Sequence, residues 1–192
     1  MPILPPETNC YPHSLFLSPD DGLRAKRSWW VLHTKPRQEK KLAQQMLNAE
    51  VPFYLPLIAK RNLVRGRAVH SYLPLFCGYV FLLADERERI VSLATKRVVN
   101  CLRVGDQTQM WNDLDQVQRL IASGAPITPE ERLQAGSPVE ICHGPLAGLR
   151  GTILRTASGR RFVVQVDFIQ RGASVLLDQF SLAPVAAEEV LV

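Results

Sequence analysis

The strongest constraint on this chain is a change of pattern at Gly124. Upstream, strand-like and helix-like stretches alternate. Downstream, the apolar runs VEICHG, RGTILRTA, RRFVVQVDFI and ASVLLDQF are all short and rich in β-branched residues, with glycine-containing turns between them. The joining stretch GAPITPEERLQAGSP carries Pro126, Pro129 and Pro138 and few bulky apolar residues, which reads as a linker. A chain of 192 residues has room for two small domains so joined. The expected organisation is a poorly ordered proline-rich leader (1–27), a first domain (28–123), a linker (124–134), an all-β domain (135–185) and a tail (186–192).

Within the first domain, SWWVLHTKP reads as a strand ended by Pro36. RQEKKLAQQMLNAEV follows with Leu42, Ala43, Met46, Leu47 and Val51 at helical spacing, and Pro52 helps to stop the helix. The next stretch reads as a long hairpin turning at Arg65-Gly66-Arg67. CGYVFLLA is a strand, DERERIVSLAT a helix with acids in its first turn, VNCLRVG a strand and WNDLDQVQRLIASG a last helix. Asp113 and Asp115 are expected to cap that helix. The fold class is therefore α+β, an antiparallel sheet with packed helices, joined to a small all-β barrel. In the barrel, Ser158-Gly159 and Arg171-Gly172 are the hairpin signals, and five short strands close on themselves.

Charge is uneven. Residues 29–128 carry 14 basic and 8 acidic side chains, whereas residues 129–192 carry 6 and 7. The basic middle is the part suited to a polyanion. No apolar run approaches the roughly 18 residues of a membrane span, and the leader lacks the pattern of a signal peptide, so the expected location is cytoplasmic. The four cysteines (10, 77, 101 and 142) form no CxxC pair and read as reduced, mostly buried thiols. No GxSxG, HExxH or P-loop occurs, so neither an enzyme, a metal site nor a cofactor is expected. Cys142 and His143 adjoin, but neighbours on a strand point to opposite faces. Gly144, Gly148 and Gly151 suit a sharp turn with positive φ or close backbone approach.

VEICHGPLAGLRGTI resembles a KOW motif, the opening of an SH3-like barrel found in transcription elongation factors and ribosomal proteins. Upstream, WWVLHTKPRQEKKLAQQML, the hairpin, PLFCGYVFLL and NCLRVG resemble the N-terminal (NGN) domain of the NusG family, and together with the KOW segment the resemblance covers about residues 28–185 in family order and spacing. SWWVLHTKPRQEKKLA and PLFCGYVFLL resemble specialised paralogues of the RfaH type. The barrel segment FVVQVDFIQRGASVLLD lacks the Phe-Gly-Arg signature of general NusG proteins.

The resemblance implies a monomeric transcription elongation or antitermination regulator that binds the RNA polymerase clamp. Its barrel would recruit a second partner: a termination factor, the ribosome or RNA. Tyr79 and Phe81 share a strand face; the residues alone allow ordinary core, and the resemblance implies an exposed patch docking on the clamp. Lys35, Arg37, Gln38, Lys41 and Gln45 are a solvated helix face on the residues alone. By resemblance they contact the non-template DNA strand of the transcription bubble. Pro36 and Asn48 depart from the RfaH pattern, so a shared DNA sequence preference is not implied. Arg61, Arg65 and Arg67 form a basic hairpin tip, either solvated or touching upstream DNA or polymerase. A His-Thr-Thr contact of the RfaH type is replaced by Ile90-Val91-Ser92, which leaves only Ser92 as a partial substitute. The glycine-rich barrel segment is expected to stay β, with no helical alternative. The competing reading is an RNA-binding protein of the translation apparatus with a KOW barrel.

Overall fold

The computed structural model describes residues 8–17, 23, 25–64, 67–130, 136–156, 159–176 and 182–184. The chain divides into two compact units, residues 1–110 and 111–192.

The first unit is built on a five-stranded antiparallel sheet of order β1-β3-β6-β2-β7. Its strands are β1 (Cys10–Tyr11), β2 (Ser28–Thr34), β3 (Phe53–Tyr54), β6 (Tyr79–Ala84) and β7 (Val98–Arg103). A separate hairpin pairs β4 (Leu57–Val64) with β5 (Arg67–Pro74). Two helices, α1 (Glu39–Asn48) and α2 (Glu86–Ala94), follow β2 and β6. A third, α3 (Gln107–Ala122), follows β7.

One face of the sheet packs on α1. Leu42, Ala43 and Met46 meet Leu32, Phe53, Val80, Leu82 and Ala84 in a single buried cluster, the stripe that helical spacing requires. The helix starts two residues later than its polar run because Arg37 has φ 60°, outside the helical region. It ends before Pro52 can act. Glu50 turns left-handed at φ 55°, and the Val51 N–H reaches back to the Met46 carbonyl at 2.9 Å, a Schellman closure. Helix α2 carries a full capping box. The Asp85 side chain accepts the Glu88 N–H, and the Glu88 carboxylate accepts the Asp85 N–H, both at 2.9 Å. Arg27 grips Glu88 through both carboxylate oxygens, at 2.7 to 3.1 Å.

Four expectations are corrected. The leader is not wholly without order: residues 8–17 add β1 to the sheet edge beside β3 and bury Leu15, because an unpaired edge and an aromatic face give it backbone and apolar partners. Helix α3 begins before Trp111, with the Asp106 side chain capping it by accepting the Gln109 N–H at 2.8 Å; Asp113 is instead a buried mid-helix group. The linker contains β8 (Thr128–Glu130), which pairs with β12 (Arg171–Leu176). Of the four free cysteines, Cys77 and Cys142 are exposed and Cys101 half-buried, leaving Cys10 as the buried one.

The second unit holds a six-stranded antiparallel sheet of order β13-β9-β10-β11-β12-β8. The further strands are β9 (Ser137–Ile141), β10 (Arg150–Thr156), β11 (Gly159–Val166), β12 (Arg171–Leu176) and β13 (Leu182–Pro184). No pairing between β13 and β8 closes the sheet among the described residues. Arg171 and Gly172 belong to β12. The turn before them is a short 3-10 segment, Asp167–Ile169, ended by left-handed Gln170 at φ 52°. Asp113 holds this turn by accepting the Asp167 N–H at 3.0 Å.

Gly144 and Gly148 have φ of 96° and 81°. Gly151 lies near the start of β10, closely packed against the paired strand β11: a β-carbon there would sit 2.2 Å from the Val163 carbonyl oxygen and 2.9 Å from the Phe162 ring. Gly151→Ala is therefore expected to lower unfolding free energy by at least about 2 kcal/mol in urea titration. Burial pushes the Cys10 thiol from its ordinary 9.0 up to about 12, against a smaller opposing effect of the Leu15 backbone. A raised folded value favours the folded state below pH 9, and that contribution is lost as pH rises toward 12. Thermal melts of the first unit should fall over that window, and Cys10→Ala should flatten the dependence.

Candidate functional site

Two turns lie side by side at one end of the first sheet. The Lys35 N–H donates to the Arg97 carbonyl at 2.8 Å, joining the residues before α1 to those after α2. Each turn has a basic residue in the left-handed region, Arg37 at φ 60° and Lys96 at φ 58°. Non-glycine residues rarely adopt that conformation, and it concentrates at functional positions.

Arg97 organises the side chains between them. Its Nε donates to Gln45 Oε1 at 2.8 Å, and its Nη1 donates to Gln38 Oε1. Gln38 and Gln45 are two helical turns apart on one face of α1, so one guanidinium staples both. Each amide oxygen thereby accepts one charge-assisted bond, which orients the NH2 groups away from Arg97. Half-buried Gln38, Gln45 and Arg97 form a floor, and exposed Lys35, Arg37, Lys41 and Lys96 form a rim. Among the described residues none of the rim cations has an ion-pair partner. The surface offers hydrogen-bond donors and positive charge, which suits phosphate and sugar oxygens and acceptor edges of bases.

Arg97 and Lys96 escape a local reading of α1 because they lie more than fifty residues away in sequence. The only signal is the adjacent pair in LATKRVV, placed by the sheet rather than by periodicity.

The aromatic pair is divided by the fold. Cross-strand partners in an antiparallel sheet share a face, so the registers Tyr54↔Phe81, Phe81↔Val31 and Val31↔Leu102 form one row. Trp29↔Leu83 and Tyr79↔His33 lie on the same face. Phe81 is 0% exposed, which corrects the expectation of an exposed pair. It is stacked near Tyr54 at 6.4 Å and meets Phe76 edge-on at 6.1 Å. Tyr79 is half-buried against the exposed His33, with ring centroids 5.3 Å apart. Exposed Asn100 and Leu102 continue that open end of the face.

The turn before β6 connects the two places. The Gly78 N–H donates to the buried Glu39 carboxylate at 2.8 Å, and the Gly78 carbonyl accepts the Thr34 N–H at 2.8 Å. Tyr79 and the start of α1 are thus held by one residue.

Ser92 is buried and donates its hydroxyl to the Arg89 carbonyl at 2.6 Å, so it offers nothing outward; Ile90 and Val91 are the exposed groups there. The side chains of Arg61, Arg65 and Arg67 lie outside the described residues. In the second unit, Gly144 and Gly148 shape the β9–β10 turn, while Cys142 and His143 are exposed. No set of three or more His, Cys, Asp or Glu could hold a metal among the described residues. Nor is any helix among them long and apolar enough to cross a membrane.

A family model described as transcription termination factor nusG matches residues 27–131. No curated protein matches. Among solved structures, one described as domain interaction in Thermotoga maritima NusG is similar at 17% identity. It covers 80% of this chain and 94% of that one, with a TM-score of 0.43. An MjSpt4:Spt5 complex, conformation B, is similar at 16% identity over 82% of this chain and 97% of that one, TM-score 0.28.

Arg97→Ala should release both glutamine oxygens and let the side chains reorient. The expected result is weaker binding of a fluorescein-labelled single-stranded 12-mer, with a loss larger than Lys96→Ala produces, read by anisotropy.

Proposed function

The chain belongs to the NusG family, whose members are non-enzymatic transcription factors, and from that premise we propose that it is a transcription elongation or antitermination regulator. In this reading the first unit binds the RNA polymerase clamp and the non-template strand of the bubble together. The second unit is a KOW-type domain that recruits a further partner, a termination factor, the ribosome or RNA. The chain acts as a specialised paralogue of the RfaH type.

The observation that carries the reading is the Gly78 turn. It holds a donor-rich basic surface and a partly open aromatic face against the same short segment. A protein that must grip polymerase and a nearby single strand at once needs the two surfaces in fixed register. Lys35, Arg37 and Lys41 neutralise phosphates, and Gln38 and Gln45 present NH2 groups to acceptors. Tyr79, His33 and Leu102 form the open part of the protein-binding face, and aromatic anchors of this kind dominate binding energy. Phe81 lies on that same face, buried against Tyr54 and Phe76.

Core RNA polymerase should be retained by the immobilised chain. Tyr79→Ala should reduce that affinity at least about tenfold, on the scale of a lost anchor. Co-sedimentation with ribosomal subunits and no retention of polymerase would overturn the reading in favour of an RNA-binding protein of the translation apparatus. On single-stranded DNA, Lys35→Ala and Lys41→Ala should each lower the slope of log K against log salt by roughly 0.7, the value for one phosphate contact.

A further inference from the structure

The aromatic face of the first sheet is open at one end and covered at the other, and the cover is the N-terminal segment. From Thr8 to Leu17 the chain runs along the sheet edge and then folds over it. Cys10 and Tyr11 pair with Tyr54 and Phe53, and the Leu55 N–H donates to the Asn9 carbonyl at 2.7 Å. The segment then turns on itself: the Leu15 N–H meets the Pro12 carbonyl at 3.0 Å, and the Leu17 N–H the Ser14 carbonyl at 2.9 Å. This places Phe16 flat against Trp29, with centroids at 6.4 Å and planes 9° apart, and edge-on to Tyr54 at 4.9 Å. Leu15 is 2% exposed beside them, whereas Leu17 is 83% exposed.

Trp29 and Tyr54 belong to the same sheet face as Phe81, Tyr79 and Leu102, joined row by row through the strand registers. The covered and open parts are one surface. The cover is held by the two-residue ladder, the Asn9–Leu55 bond, buried Cys10 and Leu15, Tyr11 against the α1-side cluster, and the Phe16 ring, all within ten residues at one sheet edge. Its own turn is closed by bonds within the segment, so it can leave without breaking the turn.

We infer that residues 8–17 are a displaceable strap: bound, it covers Trp29 and Tyr54; released, it adds these two rings to the surface that Tyr79 offers the protein partner on the same sheet face. This rests on the reading of that face as the polymerase-docking surface. The strap lowers apparent affinity by the fraction of time the face is covered. Coverage of ninety-nine parts in a hundred would weaken binding about a hundredfold. It acts on partner binding alone and leaves the basic surface around Arg97 accessible.

The test compares the full chain, a chain lacking residues 1–17, and Phe16→Ala, which removes the ring that sits on Trp29 but keeps the ladder. Cys10 reports on the strap in a full chain carrying Cys77→Ser, Cys101→Ser and Cys142→Ser, through its rate of alkylation with and without excess core RNA polymerase. The expected result is at least about tenfold tighter polymerase binding by both variants, unchanged binding of single-stranded DNA, and faster Cys10 alkylation in the complex. Equal polymerase affinity for wild type and Phe16→Ala, with Cys10 still protected in the complex, overturns the strap and leaves the docking surface standing. Failure of every chain to bind polymerase overturns the docking reading and the strap with it. If the truncated chain loses its circular dichroism spectrum, the Phe16→Ala comparison decides alone.

Discussion

The arrangement of the first unit depends on one buried carboxylate. Glu39 is 6% exposed at the first turn of α1, where a negative group is favoured by the helix dipole. Its Oε1 accepts the Gly78 N–H. A buried carboxylate without a donor is costly, as is a buried N–H without an acceptor, so this bond draws the start of α1 and the turn before β6 together. Gly78 can serve because its φ of 85° suits a residue without a β-carbon. Everything proposed about function is hung on that junction: the basic rim on one side, Tyr79 on the other.

The chemistry of the basic surface follows from occupancy rather than from composition. Glutamine can donate and accept, and a pair of them would ordinarily read either kind of partner. Arg97 engages both oxygens and orients the NH2 groups away from itself. The resulting surface is rich in donors and positive charge, the character that phosphate oxygens require. The aromatic face shows the same economy of means. The register that buries Phe81 against Tyr54 and Phe76 is the one that leaves Tyr79 at the open end beside His33.

Local pattern carried most of the elements. The α1 stripe, the strand β6 and the hairpin β4–β5 rest on periodicity and turn chemistry, which act over a few residues and are therefore visible in a linear reading. The boundaries were less legible. Helix α1 is shortened by the conformation of Arg37, α3 is lengthened by the Asp106 cap, and β8 forms inside an apparent linker because β12 offers it an edge. In each case the deciding partner is a dihedral angle or a distant strand.

The sequence by itself determined the change from alternating strands and helices to an all-strand pattern along the chain, and the basic character of its middle. It also carried the family, since the motifs lie in order along the chain. Only the tertiary structure decided which of those residues form a surface. It added Arg97 and Lys96 to the basic site, removed Phe81 and Ser92 from the exposed groups, and placed residues 8–17 as a cover over an aromatic face. The reason is physical: periodicity tells which way a side chain points from its own element. Exposure and hydrogen-bond occupancy depend on what arrives from elsewhere in the chain.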